Sequence, residues 1–127
     1  MSDVVLDASA VLAVVHDEPG AEMVRPHLPG AYLSAVNAAE VAAKVVDGGA
    51  DPAEAGDRLF RLGTRVVAFE SRDVAPGAQL RTASRSAGLS LADRACLTLA
   101  QRLGLPVLTA DRTWSKLNLR VDIQQIR

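Results

Sequence analysis

Apolar and polar positions follow two alternating rhythms along the 127-residue chain. Short apolar runs read as strands: the β-branched Val4–Leu6, a buried one, then Ala31–Ser34, Arg65–Phe69, Pro106–Ala110 and a last one in "VDIQQI". Between them, apolar residues recur every three or four positions, the spacing of a helix that buries one face. These stretches are "SAVLAVVHDE", ended by Pro19-Gly20, then "AEMVRPHL", and "AVNAAEVAAKVVDGG", closed by Gly48-Gly49. "DPAEAGDRLFRLG", entered through Asp51-Pro52, and most of "SRDVAPGAQLRTASRSAG" follow, the latter despite Pro76-Gly77. "SLADRACLTLAQRLG" is the clearest helix, and "DRTWSKL" a short one. Strands alternating with helices predict a three-layer α/β/α domain around a mainly parallel sheet of about four to five short strands. The length suits a single domain, 1–127. Ligands of such sheets bind beyond the carboxyl ends of the strands, where the strand order reverses. Two acids stand at such ends, Asp7 after the first strand and Asp111 after the fourth.

A third acid interrupts an apolar face. On the helix after Ser90, Asp93 shares an arc with Cys96, Leu97, Ala100 and Leu103, while Arg94, Thr98, Gln101 and Arg102 lie opposite. Asp93 reads equally as the third-position partner of a capping box with Ser90. Asp7 and Asp111 likewise read as caps of the helices they precede. Glu40 lies in a polar stripe with Asn37, Lys44 and Asp47, and pairs with Lys44 in ordinary i,i+4 spacing. Singly, each acid has a structural explanation. Together they form a self-repelling cluster at the ligand edge, which a cation would hold. Oxygen-only ligands favour Mg2+, with Mn2+ as a substitute, over zinc.

Composition narrows the alternatives. The net charge of −1 supplies no global field for nucleic acid, so any such site rests on local arginines or metal ions. Four aromatic residues are too few for a base-stacking platform. The single cysteine, Cys96, reads as a buried structural thiol, in keeping with a cytoplasmic setting. No run is long enough to span a membrane, and the opening segment lacks a basic leader. His16 and His27 lie away from the acids and read as surface residues, so histidine-based catalysis is not expected.

"VVLDASAVLAVVHDEPG", "SAVNAAEVAAKVVDGG", "GLSLADRACLTLA" and "LPVLTADRTW" resemble, in this order, the blocks of PIN-domain ribonucleases, above all VapC-type toxins of type II toxin–antitoxin pairs. The resemblance covers nearly the whole chain. It implies a metal-dependent endoribonuclease that hydrolyses RNA phosphodiester bonds and leaves a 5′-phosphate. It maps the catalytic, metal-binding acids onto Asp7, Glu40, Asp93 and Asp111. Ser9 and Thr109 become partners of those acids. Many relatives carry glycine where Ala92 stands, a difference of one methyl group. Arg94 and Arg112 each follow a site acid and are candidates for RNA phosphate contacts. The resemblance further implies a small antitoxin that lays a helix across the toxin, a homodimer, and a larger toxin–antitoxin complex. Val11, Leu12, Val15, Met23, Val24 and Leu28 are candidates for the apolar groove receiving that helix.

Two other classes compete. A non-catalytic PIN-like module binding RNA or protein would tolerate loss of a site acid, and none is lost. Phosphotransfer on Asp7 would call for a second acid where Ser9 stands, or for a lysine after a late strand, where Lys116 does not fit.

Overall fold

The computed structural model describes residues 3–127, the side chain of Ser86 excepted; Met1 and Ser2 of the opening segment lie outside the described residues. Five strands, β1 (Val5–Leu6), β2 (Tyr32–Ser34), β3 (Arg65–Val67), β4 (Val107–Thr109) and β5 (Ile123–Gln125), form one sheet. Their order is β3-β2-β1-β4-β5 and every pairing is parallel. The helices are α1 (Ala8–Val15), α2 (Ala21–Val24), α3 (Ala35–Asp47), α4 (Pro52–Phe60), α5 (Val74–Ala83) and α6 (Leu91–Leu103). Three-residue 3-10 turns follow α2 and flank α5, and a longer one, Arg112–Lys116, stands in place of the expected last helix.

Period-two alternation sorts the strands onto two cores. Leu6 is in register with Leu33 and Leu108, and this row packs under α1 to α4 with Val11, Val24, Val41 and Leu59. Val5 is in register with Tyr32 and Val107, and this row faces α5 and α6 with Leu80, Cys96, Leu97 and Trp114. These are the two outer layers the alternation predicts. The chain runs outward from β1 to β3 under one layer and returns beneath the other to β4, as right-handed crossovers require. The order therefore reverses between β1 and β4.

The strands are shorter than the apolar runs, and α2 gives way after one turn to the 3-10 segment Arg25–His27 around Pro26. Pro76 sits in the first turn of α5, where its missing N–H has no helical partner to lose. Gly20 is required by geometry. It has φ of +95°, and an added Cβ would stand 2.6 Å from the Ile126 carbonyl oxygen.

Among the described residues no helix is long and apolar enough to cross a membrane. His16 is exposed, but His27 is half-buried with its Nδ1 unpartnered, which departs from the surface position expected of it. Of the six apolar residues expected to form a groove, Val11, Val24 and Leu28 are buried in the chain's own core. They belong to the core that also holds Leu6, Leu33 and Leu108 of the sheet. An apolar recess of about 210 Å³ does exist, but between α1, α3 and α4, where Val15, Val41, Val45, Leu59 and Leu62 line it.

Candidate active site at the β1/β4 switch point

Asp7 is the first residue past β1. Its extended backbone ends the strand, and its Oδ1 accepts the Ala10 N–H at 2.9 Å as the cap of α1. Two hydroxyls complete its surroundings. Ser9 donates to Oδ1 at 2.7 Å, and Thr109, the last residue of β4, donates to Oδ2 at 2.6 Å. The same hydroxyl oxygens accept backbone N–H groups from the β4 turn, Ser9 from Ala110 at 2.8 Å and Thr109 from Asp111 at 3.0 Å. Each hydroxyl has one proton, and both protons go to Asp7. The Ser9–Thr109 separation of 3.4 Å is therefore a contact without a proton to share. The network is built for an ionised Asp7 and ties the ends of β1 and β4 together.

This carboxylate is only 4% exposed. Burial pushes its pKa from 3.8 up to about 6 against the lowering pull of Thr109, Ser9 and Ala10, and the negative charge of Asp93 adds to the rise. Glu40, on α3, also has a raised pKa, from burial first and Asp93 second, with Lys44 opposing. Asp7, Asp93 and Glu40 thus share one electrostatic neighbourhood. Among the described residues none of the four candidate acids forms an ion pair, including Glu40 with Lys44. Beneath them, burial and the charges of Asp7 and Asp93 drive the Cys96 thiol well above its ordinary range, leaving an inert packing group.

The capping explanations hold at the same residues. Ser90 and Asp93 form the full capping box of α6: Asp93 Oδ2 accepts the Ser90 N–H at 2.9 Å, and Ser90 Oγ accepts the Asp93 N–H at 3.1 Å. Asp111 Oδ1 accepts the Thr113 N–H at 3.0 Å and its hydroxyl at 2.7 Å. Asp111 is linked to Asp7 only through Thr109. Asp7, Asp93 and Asp111 are each spent on their own helix start, and no three of the described acid, histidine or cysteine side chains converge closely enough to hold one ion. The donor chemistry nevertheless suits a hard divalent cation. The donors are oxygen only, mutually repelling, and one of them is deeply buried without a cationic side chain to neutralise it.

Of the two arginines beside the acids, Arg94 turns onto α5, where its Nη1 donates to the Gly77 carbonyl at 3.4 Å. Arg112 is exposed at the start of its 3-10 turn. Two further residues support the site. Asn37, placed by its spacing on a polar stripe, is only 1% exposed; its Nδ2 donates to the Ala92 carbonyl at 3.0 Å and its Oδ1 is buried without a partner. It clamps the first turn of α6, and so Asp93, against α3. Its position three residues before Glu40 was the available signal. Gln125, in β5, donates to the Asp111 carbonyl at 2.9 Å and braces that turn; nothing in its sequence context singles it out.

Solved structures share this fold. VapBC2 from Rickettsia felis, bound to a DNA fragment from their promoter, is similar with a TM-score of 0.73 and 13% identity over 98% of each chain. VapBC-1 from nontypeable Haemophilus influenzae gives 0.72 and 16% over 98% of each. FitAcB from Neisseria gonorrhoeae gives 0.68 and 20% over 97% of each. At these identities the likeness is one of fold. No curated protein matches the sequence significantly. The sequence matches the PIN domain over residues 4–118, and the chain belongs to that family.

Proposed function

We propose that this chain is a Mg2+-dependent endoribonuclease, the toxin of a type II toxin–antitoxin pair, with residues 1–127 acting as one PIN domain. PIN domains are generally nucleases and typically use divalent metal ions. The observation that carries the reading is Asp7: a buried carboxylate held in its ionised form by two hydroxyls at the reversal of strand order, with no cationic partner. A protein gains nothing in stability from such a group, and its cost is explained by chemistry performed there.

Asp7 and Asp93 are the chief ligands of the ion, with Glu40 and Asp111 completing its surroundings. When bound, the ion lowers the pKa of a water and neutralises charge growing on the scissile phosphate. Ser9 and Thr109 hold Asp7 charged and oriented. Glu40, exposed on α3 and electrostatically linked to Asp93, would orient the attacking water or complete the shell of the ion. The apolar floor of Cys96 and Leu97 keeps bulk water from the underside. The proposed partners are an RNA substrate, a small antitoxin and a second copy of the chain, in the cytoplasm. The VapBC names of the similar structures support the antitoxin. Its seat is the recess between α1, α3 and α4, which Val15 borders, together with Leu12 and Met23, the residues of the expected groove that stay outside the buried core.

The test is RNA cleavage by purified protein in Mg2+ or Mn2+, beside Asp93→Asn prepared identically. Cleavage by the unmodified chain alone, stopped by EDTA, is expected. Equal cleavage by both preparations marks a contaminant. Absence of cleavage across a broad set of structured RNAs favours a binding module, the reading that the separated carboxylates would then fit.

A further inference from the structure

The near-neutral net charge conceals a strong division. Residues 1–70 hold eleven acidic and five basic residues, a net of −6. Residues 71–127 hold nine basic and four acidic ones, a net of +5. In this second part Arg72, Arg102 and Arg127 are paired with Glu70, Asp73 and Glu18. Arg81, Arg85 and Lys116 enter no ion pair among the described residues, and all three are exposed.

These three cations line two adjoining recesses. One, of about 220 Å³, is bounded by Arg81, Ser84, Arg85, Gly88 and Leu89. The other, of about 270 Å³, includes Ser84, Ala87, Thr113 and Lys116. The 3-10 turn Arg85–Ala87 separates them and packs on the turn Arg112–Lys116. Buried Ser84 is common to both, its hydroxyl tied back to the Leu80 carbonyl, so it forms a wall between them. Both recesses adjoin a site acid. Leu89 precedes Ser90, whose N–H bonds Asp93, and the Thr113 hydroxyl bonds Asp111. Leu89 is four residues from Asp93, a span of at most about 14 Å.

We propose that these two recesses form a phosphate track: Arg81, Arg85 and Lys116 hold phosphates of the RNA strand that flank the one presented to the acids. The proposal rests on the nuclease reading. Its physical basis is that an acid cluster repels the polyanion it must cut, and α1 to α4 add to the repulsion. The unpaired cations beside the cluster supply the opposing field. Such contacts fix strand position and carry no base preference.

The test uses the full chain in the Asp93→Asn background, so that binding is read without cleavage. The probe is a fluorescein-labelled, mixed-sequence, single-stranded 20-nucleotide RNA, titrated at several KCl concentrations and fixed Mg2+. Each phosphate contact contributes about 0.7 to the slope of log affinity against log salt. Arg81→Gln with Arg85→Gln should lower that slope by about 1.4, and adding Lys116→Gln by about 0.7 more. Arg81→Lys with Arg85→Lys should restore it, and Arg58→Gln with Arg61→Gln on the acidic part should leave it unchanged. The affected side chains are exposed, so melting temperatures should not move. An unchanged slope in the triple variant overturns the track while leaving the nuclease intact, provided the Asp93 chain still cuts. If the Asp93 chain neither cuts nor binds RNA, the nuclease reading itself falls, and the track with it.

Discussion

The ends of β1 and β4 look alike in sequence and differ in physics. "VLDASAV" and "VLTADRTW" each run from strand to aspartate to helical turn. Asp7 follows its strand directly, whereas Asp111 stands two residues beyond Thr109. Because Leu6 is in register with Leu108, Asp7 lies level with Thr109. Carboxylate and hydroxyl therefore meet at the same depth, and Asp111 is carried outward to a half-buried position. Asp7 is charged at a cost; Asp111 is an ordinary cap with a charge to spare. Two residues of offset along the chain decide which acid is costly and which is cheap.

Asp7→Asn should break this contrast most severely. Loss of partners around a metal typically costs ten- to a hundredfold, so loss of the central ligand should lower kcat/KM by at least about a hundredfold. Stability should move the other way. At about 1.4 kcal/mol per pH unit, a carboxyl raised from 3.8 to about 6 costs the folded chain about 3 kcal/mol once ionised. Its favourable contribution is fully present below pH 3.8, declines while the folded chain keeps a proton that the unfolded chain has already released, and is gone above about pH 6. In metal-free buffer the unmodified chain should therefore lose stability as pH rises from 4 to 6, and Asp7→Asn should lose less, the raised carboxyl of Glu40 alone remaining. At pH 7 the variant should be the more stable of the two. Chemical denaturation across this range checks both, and a flat profile for the unmodified chain would remove the argument for a strained Asp7. Mg2+ should stabilise the unmodified chain and have little effect on the variant.

Thr109→Val sharpens the comparison by cutting the link between the two ends. Valine keeps the shape but removes the donor to Asp7 and the acceptor of the Asp111 N–H. Activity should fall ten- to a hundredfold. The folded state should lose about 1–3 kcal/mol, because a sheltered N–H loses its partner. The Thr109 bond lowers the Asp7 pKa, so without it the acidic limb of the pH–rate profile should move to higher pH. A fall in activity with an unmoved limb would assign Thr109 to packing alone.

How much of this could be read in advance depends on whether one residue had one task. The alternating strands and amphipathic helices did, and fold class and layer order followed from them. Strand ends did not, because apolar runs such as Arg65–Phe69 continue past the last ladder hydrogen bond into the loops that follow. Asp93 satisfied both of its competing explanations: it caps α6 and adds its charge to Asp7 and Glu40. The stripe through Asn37, Glu40 and Lys44 was mixed, since Asn37 turned into a clamp buried against α6. Val11, Val24 and Leu28 were indistinguishable by spacing from groove residues, because core and docking faces share one periodicity. The phosphate track had no motif at all; it depends on turns that bring residues 81–89 beside 113–118.

Asp111 offers the smallest and most discriminating effect. Its Oδ1 serves Thr113 as a cap, and asparagine keeps that acceptor while removing the charge. Alanine removes both. Asp111→Asn should melt with the unmodified chain and lose about tenfold in activity, the low end for a group bordering a metal. Asp111→Ala should lose the same activity and, in addition, about 1 kcal/mol of stability. Equal activities for the two variants would show that the charge serves chemistry and the oxygen serves the turn. If asparagine keeps full activity and alanine does not, Asp111 acts only by shaping its turn, and Asp7, Glu40 and Asp93 are left to hold the ion without it.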